Sequence, residues 1–252
     1  MRFTQAGVLI LTPMLADNAE FEPQSGAFST GLHKPETFRL ELLDFIARKL
    51  LGWRDDTDRN DVVSETRLTA QLCAYLNDAT RNSNGWDILQ FRREEPDENS
   101  GGRAIDLVPA PCGISISMGG KLYTKYNSLM PIECKRLPTP SAKDRDEREY
   151  VFSKFSTTGG IQRFKEANHG AQHTLGAMIG YIQDETAEEW DIRVAAWIKG
   201  LVVEQQAGWT FADLLQPTPT DKIPKLTQFD SSHERVNDLP DIRLRHLWIE
   251  MN

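Results

Sequence analysis

Glu133-Cys134-Lys135 is the tripeptide in this chain whose residue types and spacing best suit chemistry. Lys135 is the only one of the eleven lysines with a carboxylate two residues before it. The surrounding stretch 129–137 (LMPIECKRL) reads as a strand stopped by Pro138 and Pro140. In a strand, residues i and i+2 share a face, so Glu133 and Lys135 point together while Ile132 and Cys134 turn into the core. An acid and an ammonium on a largely apolar strand are costly to bury without a partner. Asp106 has the same character, set between Ala104-Ile105 and Leu107-Val108. If the two strands are neighbours, Asp106 and Glu133 converge at one edge of a sheet. Converging carboxylates repel unless a cation lies between them, and oxygen donors favour Mg²⁺ or Mn²⁺. The plain alternative is a structural ion pair.

These residues need elements to position them. Phe38, Leu42, Phe45, Ile46 and Leu50 recur at helical spacing after Pro35. A second helix is expected from Ser64, a good N-cap, to about Asn77. Glu65 lies on its apolar side with Leu68 and Leu72, although a first-turn acid is also ordinary for a helix dipole. Residues 86–93 and 103–110 read as a hairpin around PDENSGG, and 114–118 with 121–126 as a second hairpin turned by Gly119-Gly120. A polar helix is expected over 143–154, a short helix over about 161–168, and a buried strand over 176–183. Thr186 and Glu189 form a capping box. The helix they open carries Trp190, Val194, Trp197, Ile198 and Leu201 on one face. Strands are expected near 225–230 and 242–250.

The chain has 252 residues, 39% hydrophobic and 26% charged, with a net charge of −8. That composition suits a single α/β domain over 1–252: a core at about 64–183, an N-terminal extension over 1–63, and further helix and strands over 186–252. Residues 1–35 read as an irregular lead-in in which Gly7–Leu11 suits a short strand better than a signal peptide. The acidic balance argues against a broadly basic nucleic-acid coat. The window 133–165 departs from it, with 8 basic and 5 acidic residues. Cys73, Cys112 and Cys134 form neither a disulfide framework nor a zinc pattern, which suits a reducing cytoplasm. No apolar run approaches the roughly 20 residues of a membrane span. Gly170 breaks any helix between His169 and His173, so zinc is not the favoured reading of that pair.

Asp106, then Glu133-x-Lys135, on successive strands after a helix carrying Glu65, resembles the PD-(D/E)xK nuclease superfamily, which includes many restriction endonucleases. The resemblance covers residues 64–183, about half the chain, and implies a restriction-endonuclease-like core ordered helix, three strands, helix, strand. The stretch GGIQRF…HG…AMIGYIQD is also similar to nucleases of bacterial phage-defence and restriction systems. Two departures stand out: Ile105 occupies the place of the common Pro, and no Tyr follows four residues after Gln162. The resemblance implies that Asp106, Glu133 and the Cys134 carbonyl hold one or two Mg²⁺ ions (Mn²⁺ as substitute), with Glu65 completing the shell. Lys135 would orient or help deprotonate the attacking water. Gln162, Arg163 and His169 would meet phosphate, and Lys143, Arg145 and Lys154 would track the backbone. The implied activity is phosphodiester hydrolysis of DNA, with RNA the other candidate, in phage defence, restriction or repair. A partner subunit or a second copy would supply further grip, and no membrane is involved. The rival is a catalytically inactive nucleic-acid-binding or assembly subunit on the same fold.

Overall fold

A computed structural model of the chain describes residues 36–97, 103–219 and 222–252. The expected lead-in over 1–35 and most of the PDENSGG turn lie outside the described residues. Among the described residues two helices come first, α1 (Thr37–Arg54) and α2 (Glu65–Arg81). Ser64 takes the N-cap position of α2, but its hydroxyl makes no capping bond. Strands β1 (Leu89–Pro96) and β2 (Ala104–Pro111) form the first hairpin, β3 (Ile116–Met118) and β4 (Lys121–Tyr123) the second, small one. Then follow β5 (Ile132–Leu137), α3 (Gly160–Lys165), β6 (Leu175–Ile182) and α4 (Ala187–Val203). The Thr186–Glu189 capping box that opens α4 is formed in both directions. The chain closes with β7 (Gln216–Pro217), β8 (Leu226–His233) and β9 (Ile242–Glu250).

The architecture is α/β. Among the described residues seven strands make one mixed sheet in the order β1-β2-β5-β6-β9-β8-β7, with β5, β6 and β9 parallel and the flanking pairs antiparallel. Alternation along the strands builds a core on each face. Ile132 and Cys134 of β5, with Ala177, Ile179 and Tyr181 of β6, pack with α1 and α2. Leu137, Met178, Ile182 and Trp248 pack on the other side with α3 and α4. The edge strand β1 is clamped by α2: Asn77 donates to the Phe91 carbonyl at 2.9 Å and accepts the Phe91 N–H at 2.8 Å.

The segment expected as a polar helix over 143–154 consists of turns. Tyr150, Val151 and Phe152 are all buried, and three consecutive buried residues do not fit a helix with one wet face. The Asp146 carboxylate instead accepts the backbone N–H groups of Arg148 and Lys154, at 3.0 and 3.1 Å. That local bonding competes with the helical ladder.

Candidate active site

Strands β2 and β5 meet at one registered pair, Leu107 opposite Ile132. The next step of that register sets Asp106 opposite Glu133, but the ladder stops there. The Asp106 carboxylate, not a β2 carbonyl, takes the Cys134 N–H, at 2.8 Å. Buried backbone donors must be paired. Asp106 meets that need and lets the strands diverge.

Glu133 fills the wall of this gap and is 0% exposed. Its Oε1 lies 3.0 Å from Lys135 Nζ and also accepts from Arg163 Nη1, while Oε2 accepts from His169 Nδ1 at 3.0 Å. Burial opposes its charge, yet Lys135, His169 and Arg163 together hold it below the usual carboxylate range. Lys135 faces the same contest. Burial opposes its charge, and Glu133, Glu65 and Asp106 outweigh that and raise it above the usual lysine range. Glu65 comes from the start of α2, with Oε1 3.5 Å from Lys135 Nζ and Oε2 accepting the Arg136 N–H at 3.0 Å. Asp106 is the least compensated acid of the group. Burial, and next the charge of Glu133, push it up to about 7.

Glu65, Asp106, Glu133 and Lys135 thus gather from three separate places in the chain, α2, β2 and β5. Glu149, which carried no signal in the sequence, joins them: its carboxylate is 4.0 Å from Lys135 Nζ and 2.7 Å from Arg145 Nε. Glu65 and Asp106 line a small cleft of about 40 Å³ together with Thr66, Thr69, Arg93 and Glu94. Arg145 lines a larger groove of about 540 Å³ that runs past Pro138–Ala142 to Arg193 and Trp197 on α4. The Cys134 thiol points into the opposite core, where burial, then Asp106, raises it well above the usual range and leaves it inert.

The expected phosphate-binding residues divide. Arg163 and His169 reach the site and both grip Glu133. Gln162 does not take part. Its Oε1 accepts the Ser153 N–H at 3.0 Å and its Nε2 donates to Glu166 at 2.8 Å. The start of α3 offers no anion site either. The N–H groups of Gly160, Ile161 and Gln162 donate to the carbonyls of Glu149, Tyr150 and Val151. The glycine pair serves that close approach, since a Cβ on Gly159 would stand 2.5 Å from the Phe152 Cα. Lys143 and Lys154 are exposed, and Lys154 lies over the Phe155 ring. His173 is buried away from Glu133, and burial with Arg39, Lys121 and Arg235 lowers it to about 4.

A second polar cluster lies in the core beneath β8 and β9. Trp248 Nε1 donates to the Tyr150 hydroxyl, which meets His246 Nδ1; Ser231 Oγ lies between His246 Nε2 and His233 Nε2; each step is 2.7 Å. His233 Nδ1 then meets Asp213 Oδ1 at 2.6 Å, and Asp213 also pairs with Lys165 of α3. Both ends fix the direction. Tyr150 accepts from the indole and must donate onward, and Asp213 can only accept. Every proton therefore runs from Trp248 towards Asp213, with both histidines neutral. Burial lowers both imidazoles, which agrees. Asp213, His233 and Ser231 have the connectivity of a hydrolase triad, but Ser231 is buried and its hydroxyl is engaged on both sides. It is a structural strut rather than a nucleophile.

Among the described residues, no three His, Cys, Asp or Glu side chains form a ready metal cage. Mg²⁺ does not ask for one, since it is commonly held by one or two carboxylates, waters and substrate phosphates. Asp106 and Glu65 share one cleft, which is the two-carboxylate arrangement such an ion needs. No family model, no curated protein and no solved structure matches this chain.

Proposed function

We propose that this chain is a divalent-metal-dependent deoxyribonuclease of the PD-(D/E)xK type. The observation that carries the reading is the convergence of Asp106, Glu133, Lys135 and Glu65 where β2 leaves β5. The reading also draws on the order α2, β1, β2, the β3–β4 hairpin, β5, α3 and β6, in which the hairpin would be an insertion into a helix, three strands, helix, strand core. Asp106 and Glu65 would hold Mg²⁺, with Glu133 and the Cys134 carbonyl as the further ligands that the resemblance implies. Mg²⁺ held there would offset charge on the scissile phosphate and make a nearby water easier to deprotonate. Lys135 has a narrower role than general base: held protonated among three carboxylates, it donates to the water or the phosphate and does not take a proton. Arg145, placed between Glu149 and the large groove, would hold the nucleic-acid backbone. A setting in restriction or phage defence rests on the resemblance of the stretch that contributes Arg163, His169 and β6.

The test is incubation with plasmid, linear and single-stranded DNA in Mg²⁺, Mn²⁺ or EDTA, beside Lys135→Ala. Metal-dependent cleavage lost in the variant supports the reading; equal nicking by both proteins removes it. The second reading, a nucleic-acid-binding subunit without activity, is favoured by one observation, the complete burial of Glu133. Asp106→Ala separates the two: a nuclease loses cleavage and keeps binding, whereas a binding subunit has no cleavage to lose.

A further inference from the structure

Glu133 stands where the proposed metal centre needs a free carboxylate, yet both its oxygens are engaged by donors. Three cationic or donor side chains hold it, and they differ in access. Lys135 and His169 have side chains 5% and 1% exposed, whereas Arg163 is 19% exposed. Arg163 is therefore the partner that an incoming anion can reach. Its guanidinium offers five donors in a fork that suits phosphate as well as carboxylate. It sits on α3, whose first N–H groups are tied to the 149–151 carbonyls, so the helix itself is held in place while the side chain can exchange.

Resting on the nuclease reading above, we propose that Arg163 is a substrate-exchanged latch on Glu133. A phosphodiester entering the site takes the guanidinium, Glu133 loses its most exposed partner, and its carboxylate becomes available to the divalent ion. Metal loading and nucleic-acid binding are then coupled. Each step trades one charge-assisted contact for another: carboxylate for phosphate on Arg163, and arginine for metal on Glu133. By linkage, each ligand tightens the other by the same factor. Arg163 is a positioning residue towards the metal and a binding residue towards the substrate.

The experiment is Mn²⁺ binding to the full-length chain, followed by electron paramagnetic resonance, with and without a phosphorothioate DNA duplex. Asp106→Asn with the same duplex corrects for manganese bound to DNA. Wild-type protein is expected to bind Mn²⁺ at least tenfold more tightly with the duplex. Arg163→Ala is expected to bind Mn²⁺ tightly without DNA and to gain little from it, and Arg163→Lys to restore weak binding in the DNA-free protein. Wild-type affinity unchanged by the duplex overturns the latch, and that measurement needs no variant to fold. Tight, DNA-independent binding that Asp106→Asn abolishes also overturns the latch, while leaving the metal site standing. Absence of Mn²⁺ binding in every protein, with no cleavage, overturns the nuclease reading and the latch with it.

Discussion

The Asp106 carboxylate accepts the Cys134 N–H at 2.8 Å, in the position where a neighbouring strand would normally pair. One side chain thus closes a backbone bond and faces Glu133 across the gap. The first duty asks only for an acceptor, and the second asks for charge.

Asp106→Asn separates these duties. The amide oxygen can still accept from Cys134, but the charge is gone. Cleavage is expected to vanish, while the metal-free protein becomes more stable. The sign follows from the raised carboxyl. Between 3.8 and about 7 the folded chain keeps a proton that the unfolded chain has lost, so Asp106 erodes stability as pH rises through that window. Above it the cost persists. Urea unfolding in EDTA at pH 8 should show a gain of about 1–3 kcal/mol. Asp106→Ala should lack that gain, because it also removes the acceptor.

Metal affinity should follow the same group. In the metal-free protein Asp106 gives up its proton near 7, so a cation competes with that proton below this value. Mn²⁺ titrations at pH 6 and pH 8 should show clearly weaker binding at pH 6. Raising the metal concentration should move the cleavage profile towards lower pH. A profile insensitive to metal concentration would count against Asp106 as a ligand.

Lys135→Met removes an ammonium held among Glu133, Glu65 and Glu149. Cleavage is expected to fall by about 10²-fold or more. Stability should fall by about 2 kcal/mol at neutral pH, less than for an isolated buried pair because Arg163 and His169 still hold Glu133. Melting curves and single-turnover cleavage measured on the same preparation distinguish the two effects.

The buried chain from Trp248 to Asp213 predicts acid sensitivity. His233, His246 and His173 are all lowered from 6.5, chiefly by burial. Below 6.5 the unfolded chain gains protons that the folded chain refuses, so stability falls with pH, by about 1.4 kcal/mol per unit for each histidine. Asp106 works in the opposite direction over part of this range, so Asp106→Asn should steepen the decline. Ser231→Ala leaves a His246 donor and a His233 acceptor unpaired and should cost about 2–4 kcal/mol, with metal binding unchanged.

The sequence carried the acid-x-lysine strand, Asp106 and Glu65 because each departs from its local pattern, a charge on an apolar strand or on the inner side of a helix. Arg163 was visible as a candidate, but its partner was not: a guanidinium reads the same whether it faces phosphate or carboxylate. Gln162 misled for a similar reason, since a local motif says nothing of the Ser153 N–H that claims its amide. The 143–154 turns were hidden by helix-favouring residues whose backbone donors go to Asp146. The chain of buried histidines was partly legible in retrospect. Ser231, His233 and His246 occupy positions that alternation along β8 and β9 turns inward, among Leu244 and Trp248.

Helix α2 holds Glu65 at its first turn and grips the outermost strand through Asn77 further along. The β1–β2 leaf is joined to β5 and its approach by the Leu107–Ile132 pair, the Asp106–Cys134 bond and the Leu129 N–H donating to the Pro109 carbonyl, and this helix adds to its alignment. Loosening the strap at Asn77 would be felt some distance away, as a drift of Asp106 relative to Glu65. An amide remote from the acidic pair thus contributes to its spacing.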